Sequence, residues 1–158
     1  TLLSAYDDHN RAISMLHNPS PDLPAIINFY RSAAEAGYAG SQNNLGDLYE
    51  FGKGVEKSLI VAIYWFARAA ERGEPTAYLS LAEVLSQNAP DIHTLKEATK
   101  FAILACKKLR PGKNLAQAEH LLQELKQRLS ETDFEQAEKS AQQWRPLFYE
   151  SRLMGDAP

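Results

Sequence analysis

Apolar residues recur along this chain at three- and four-residue spacing, and no stretch shows the strict alternation of a half-buried strand. Such spacing puts the apolar side chains on one face of an α-helix, so we expect an all-α protein. Eight segments carry the pattern. They predict helices near residues 2–17, 23–36, 39–49, 59–72, 75–87, 95–109, 115–129 and 133–149.

The chain repeats itself at an interval of 36 residues. The stretch "FYRSAAEAG" at 29–37 returns as "WFARAAERG" at 65–73, and a fixed period of this length is typical of stacked helical arrays. Asp22, Ser58 and Thr94 share one register position. Each of these residue types can accept a hydrogen bond from the free N–H groups at a helix start. The register therefore predicts three helix starts.

The ends of the repeated helices are also marked in the sequence. Gly37 and Gly73 follow predicted helices, where the chain must turn through a left-handed conformation. Pro75 then opens the next helix, at a position where its missing N–H has no helical partner to lose. In the third copy Leu109 replaces the closing glycine, so we expect a less regular helix exit there.

The stretch "SQNNLGDLYEFGKGVEKSLIVAIYWFARAAERG" at 41–73 resembles the Sel-one-like repeat, a relative of the tetratricopeptide repeat. Ser41 stands where that family usually has Ala, and Ser58 where it usually has Asp. The family's signature positions are matched by Leu45, Gly46, Tyr49, Gly52, Gly54, Val55, Ala62, Trp65, Ala69, Ala70 and Gly73. The resemblance implies an α-α superhelix, a solenoid of antiparallel helix pairs.

The resemblance covers parts of the chain unequally. Residues 22–109 follow the pattern well, and residues 1–21 look like a degenerate first-unit helix and its loop. Residues 110–158 diverge, although "FEQAEKSAQQWRP" is similar to the amphipathic segment that often ends such proteins. We therefore expect one repeat domain over 1–158, with capping helices at its C-terminal end.

Composition narrows the classes of function. The 158 residues, 44% of them hydrophobic, suffice for one core. A formal net charge of −3 argues against nucleic acid as a partner, and no apolar run is long enough to insert into a membrane. The sequence starts at Thr1 without a basic and apolar leader. Any signal peptide lies outside it, so both a cytoplasmic and a periplasmic location stay open.

Few residues suggest catalysis or metal binding. Cys106 falls on the register of small buried residues, so we expect a core filler rather than a nucleophile. Asp7 and His9 diverge around a predicted helix, while His93 and Glu97 supply only two ligands for a metal. The loop glycines at 52 and 54 lack the spacing of a phosphate-binding loop. We expect no enzyme activity, no metal and no cofactor.

The predicted solenoid offers a concave surface lined by the first helix of each unit. With the Leu-Gly pair pointing inward, the positions two residues before and two residues after its leucine turn onto this surface, and one further position extends the row. We call these eight residues the concave row: Asp7, Arg11, Asn43, Asp47, Glu50, Leu79, Glu83 and Ser86. Four carboxylates stand against one arginine, so a basic or donor-rich protein segment is the expected partner.

The family resemblance implies a non-enzymatic scaffold or adaptor for protein–protein interaction, commonly bacterial in small forms. Some exported bacterial members neutralise secreted toxins, so an immunity or inhibitor protein is the alternative. A third possibility is binding or hydrolysis of β-lactams, which is linked to cysteine-rich members. Those members carry regular cysteine pairs, whereas this chain has Cys106 alone.

Overall fold

The computed structural model describes residues 1–147, which form eight α-helices and no strand. This confirms the all-α prediction. The helices are α1 (Leu2–Leu16), α2 (Leu23–Glu35), α3 (Ala39–Phe51), α4 (Leu59–Glu71), α5 (Pro75–Gln87), α6 (Ile92–Lys108), α7 (Lys113–Arg128) and α8 (Glu131–Gln143).

The described chain forms two compact units. The first, Thr1–Glu74, contains α1 to α4, and each of these helices packs against the next. The second begins at Pro75 and contains α5 to α8, with α6 packed against α5, α7 and α8. The expectation of one domain over the whole sequence stays a prediction, and residues 148–158 lie outside the described part.

Side-chain caps fix the starts of five of these helices, and those of α2, α4 and α6 test the predicted caps. The Asp22 carboxylate accepts a hydrogen bond from the Ala25 N–H at 3.1 Å, and Ser58 Oγ accepts one from the Val61 N–H at 3.3 Å. Both starts are as predicted. The prediction for Thr94 was wrong, because the cap is Asp91, whose carboxylate accepts from the Thr94 N–H at 2.8 Å.

The way each helix ends depends on the backbone conformation that the residues after it can adopt. Gly37 and Gly73 both have positive φ, 99° and 80°, as the register predicted. Leu109 instead leaves α6 in an extended conformation. The last helix ends at Gln143, earlier than predicted, since Pro146 disfavours helical backbone in the residues before it. The predicted end at residue 149 lies outside the described residues.

Small residues let the helices of each pair approach closely. Ala33, Ala69 and Ala105, which share one register position, are all fully buried. Gly46 of α3 lies under the buried ring of Phe66 in α4, and an added Cβ would meet ring carbons at 3.0 Å or less. This glycine therefore sets the distance between α3 and α4.

An aromatic cluster closes the second unit. The Trp144 ring, just after α8, lies edge-on to Tyr78 of α5, with centroids 5.3 Å apart, and to Phe101 of α6 at 6.2 Å. Tyr78 and Phe101 are themselves stacked at 6.2 Å. The C-terminal tryptophan thus packs against the first helix pair of its unit.

Candidate partner-binding surface

The concave row is distributed over the first helix of three pairs, α1, α3 and α5. Its members differ in accessibility. Asp7 and Arg11 are exposed, while Asp47, Glu50 and Glu83 are partly buried. Asn43, Leu79 and Ser86 were expected to turn outward, but they are only 4–6% exposed. A helical-wheel estimate assumes one buried face, whereas α3 lies against both α2 and α4, and α5 against both α6 and α7.

In the first unit, the row's charged groups interact with aromatic side chains of α2. The Arg11 guanidinium carbon lies 5.2 Å from the centroid of the Phe29 ring, a distance typical of a cation–π contact. Burial raises the pKa of Tyr30; its hydrogen bond with Asn44 opposes the shift, and the negative charge of Asp47 adds to it. Asp47 therefore lies close enough to Tyr30 to act on it electrostatically.

In the second unit, α7 supplies polar partners to the row. Gln117 of α7 donates a hydrogen bond to the Glu83 carboxylate. Burial raises the pKa of Glu83, and that hydrogen bond opposes the shift. Both terminal nitrogens of Arg128 donate to the Ser86 carbonyl at 3.3 Å. Arg128 thereby satisfies a carbonyl in the last turn of α5, where such groups lack helical partners.

Sequence reasoning missed Gln117 and Arg128. Both lie beyond residue 109, where the 36-residue register fades, so no offset led from α5 to α7. Arg128 also changes the charge of the row. Arg11 was counted from the sequence as the one cation of the row, and Arg128 adds a second cation at the Ser86 end of it.

A partly buried polar contact joins α1 to α3. His9 Nδ1 lies 2.8 Å from Ser41 Oγ, and the His9 ring is 4.5 Å from that of Tyr38 and 5.8 Å from that of Tyr30. Ser41 is fully buried, so a substrate could not reach its hydroxyl and the pair is a structural contact. The repeat register contained the signal, because His9 is aligned with Leu45 and Leu81, which are both core residues.

The remaining candidate groups are dispersed. Cys106 is partly exposed rather than fully buried like its register partners Ala34 and Ala70. Burial raises its pKa, and the negative charge of Glu119 raises it further, which disfavours the reactive thiolate.

Within residues 1–147 no three His, Cys, Asp or Glu side chains are grouped as a metal site would require. In the same part of the chain, no helix combines the length and apolar content needed to cross a membrane.

Comparisons with known proteins agree with this architecture. The family model described as "Sel1 repeat" matches residues 27–38 and 39–74. A solved structure, a protective antigen present in uropathogenic Escherichia coli strains and displaying an SLR fold, is similar over 98% of this chain with a TM-score of 0.79 and 21% identity. The present chain spans 34% of that protein's chain. The comparison with curated proteins gave no match. The chain therefore carries Sel1 repeats at residues 27–38 and 39–74, within an all-α solenoid fold.

Proposed function

We propose that this protein is a non-enzymatic scaffold that binds a basic segment of a partner protein along its concave row. Sel1 repeats generally mediate protein–protein interaction. The observation that supports this use of the row is its charge: four carboxylates, those of Asp7, Asp47, Glu50 and Glu83, lie on three successive first helices.

The contacts of the row favour a cationic or donor-rich partner. The Arg11 guanidinium lies over the Phe29 ring, and Arg128 donates to the Ser86 carbonyl at the end of α5. Glu83 already accepts a hydrogen bond from Gln117. A lysine or arginine of the partner could replace that neutral donor with a cation, which adds Coulomb attraction to the hydrogen bond.

The test begins with capture of the partner from the native host and its identification by mass spectrometry. The purified partner is then titrated against the parent and against the double variant Asp47→Lys/Glu83→Lys. We expect the double variant to bind at least ~10-fold more weakly, because like charges now face each other in the interface. Circular dichroism and a thermal melt check its fold, because Asp47 and Glu83 are partly buried and Glu83 accepts a hydrogen bond.

The matched control is Glu35→Lys/Glu138→Lys, which makes the same change of charge at exposed positions on the second helices α2 and α8. This control should bind as the parent does. Equal binding by the parent and the Asp47→Lys/Glu83→Lys variant would remove the concave row as the site. A toxin among the captured chains would direct attention to the immunity role.

A further inference from the structure

Position 9 breaks the repeat pattern inside the protein. The register aligns Ala5, Ser41 and Ala77, and four residues later His9, Leu45 and Leu81. His9 and Ser41 are the two polar residues in this apolar pattern, and they contact each other: His9 Nδ1 and Ser41 Oγ are hydrogen-bonded at 2.8 Å. Two polar residues thus replace an alanine and a leucine at a contact between α1 and α3. Departures of this kind are expected where a protein gives up stability for another property.

The surroundings of the His9 ring favour its neutral form. The rings of Tyr30 and Tyr38 lie against it, and Gly40 approaches so closely that an added Cβ would be 3.2 Å from His9 Cε1. Tyr6 packs edge-on against Tyr38, with ring centroids 6.0 Å apart. A protonated imidazole would lose hydration in this aromatic contact without gaining an anionic partner. Burial accordingly lowers the pKa of His9.

Charged groups of the neighbouring elements are engaged elsewhere. Asp8, beside His9 in α1, accepts a hydrogen bond from α2 at 2.7 Å. Arg11 lies over a ring of α2, and Arg72, at the end of α4, lies against Gly37. The carboxylate of Asp47 acts on the neighbouring Tyr30. The rings that lie directly against the imidazole are those of Tyr30 and Tyr38.

The two halves of α1 are held in different ways. The C-terminal half packs through Ala12 and Ile13 into an apolar cluster with Ile26 and Tyr30 of α2. The N-terminal half contacts the start of α3 through Tyr6 and His9. The N-terminal half also contacts α2, where Asp8 accepts a hydrogen bond from Ser32 and the His9 ring lies against Tyr30. Protonation of His9 therefore acts first on the contact between α1 and the start of α3.

We propose that His9 makes the docking of α1 against α3 sensitive to acid, so that protonation of its imidazole releases the N-terminal half of α1. This inference is independent of the proposed binding function. Asp7 belongs to the same turn of α1, so release would also move the first carboxylate of the concave row.

The direction of the pH effect follows from proton linkage. In the released helix His9 has an ordinary pKa near ~6.5, whereas in the docked helix the pKa is lower. Between these two values the released state binds more protons, so docking weakens as the pH falls. Above ~6.5 both states are neutral and the docking free energy does not depend on this group.

Amide hydrogen exchange at about pH 7.5, 6.5 and 5.5, corrected for intrinsic exchange, tests the proposal. We expect the opening equilibrium of α1 to rise by up to ~10-fold for each pH unit below ~6.5, with no matching change in α4. The variant His9→Leu/Ser41→Ala restores the repeat's own residues, and its α1 should keep its protection at all three pH values. The control variant His120→Gln removes an exposed imidazole and should behave like the parent.

Two results would overturn the proposal: α1 protection in the parent that does not vary with pH, or a pH dependence that survives in His9→Leu/Ser41→Ala. If that variant does not fold, NMR titration of the His9 ring in the parent decides. A midpoint clearly below ~6.5 supports the proposal, and a midpoint at or above this value contradicts it.

Discussion

Facing residues of a helix pair change size together from one repeat copy to the next: where one side chain is larger, the side chain opposite it is smaller. Gly46 faces the large ring of Phe66 in the first unit. One interval of 36 residues later the same two positions hold Ala82 and Ala102, both fully buried. A glycine opposite a phenylalanine is thus replaced by two alanines. Since interiors are close-packed, each helix pair can keep its spacing only if one side chain shrinks where the other grows.

We expect Gly46→Ala to lower the free energy of unfolding by ~1–3 kcal/mol, because the new methyl group overlaps the Phe66 ring. Gly46 lies inside a helix with ordinary φ. Helix propensity alone would therefore predict stabilisation by ~1 kcal/mol, and the sign of the effect separates packing from propensity. Urea denaturation of the purified variant measures the change.

A double-mutant cycle with Phe66→Leu supplies the control for that prediction. If the ring causes the overlap, Gly46→Ala should cost less in the Phe66→Leu background than in the parent, with a coupling of at least ~0.5 kcal/mol. Additive effects would show that Gly46 and Phe66 do not restrict each other.

Residue types at caps were predictable, but the choice between two neighbouring candidates was not. Asp22 and Ser58 were found because they lie on the repeat register. In the third copy the register pointed to Thr94 as the cap, but the cap lies three residues earlier, at Asp91. Both residues can cap a helix. The loop before them lacks the two glycines of the preceding copy, and the sequence alone could not show where the shortened turn ends.

At the scale of elements, we expect Asp91→Ala to lower the melting temperature more than Thr94→Ala. The Asp91 carboxylate accepts from the Thr94 N–H at 2.8 Å, and a backbone donor remains when the threonine side chain is removed. These hydrogen bonds lower the pKa of Asp91. Its contribution is therefore present above its ordinary pKa of ~3.9 and is lost as the pH falls through the folded-state value.

The comparison with Asp91→Asn isolates this charge. Asparagine caps helices about as well as aspartate but does not titrate. Thermal melts of the parent and Asp91→Asn at about pH 7 and pH 3 should therefore converge toward acid. A larger effect of Thr94→Ala than of Asp91→Ala would instead restore Thr94 as the important residue of this helix start.

The repeat register explains how far the helices and the concave row could be predicted. Five helices begin at the predicted residue, α6 begins three residues early, and α7 and α8 each begin two residues early. The row's charged members were found on first helices, as their register required. Burial of Asn43, Leu79 and Ser86 was missed, because it depends on how many helices surround each position. Gln117 and Arg128 were missed because they lie outside the register.

At the scale of the whole molecule, charge is the property that the proposed function uses. The formal net charge is only −3, so the protein as a whole attracts a cationic partner weakly. The row concentrates carboxylates on a few helices, and local potentials rather than net charge guide docking at short range. Binding through the row should therefore depend on salt in a way that the net charge does not explain.

We expect the affinity for a basic partner to fall as sodium chloride is raised from about 50 mM to about 500 mM, since screening shortens the range of exposed charges from ~14 Å to ~4 Å. The Asp47→Lys/Glu83→Lys variant should lose most of this dependence, and Glu35→Lys/Glu138→Lys, with the same net charge, should retain it. Calorimetric titration at each salt concentration measures the three slopes. Equal slopes for the two variants would mean that net charge alone governs binding, and that the carboxylates of α3 and α5 do not contact the partner.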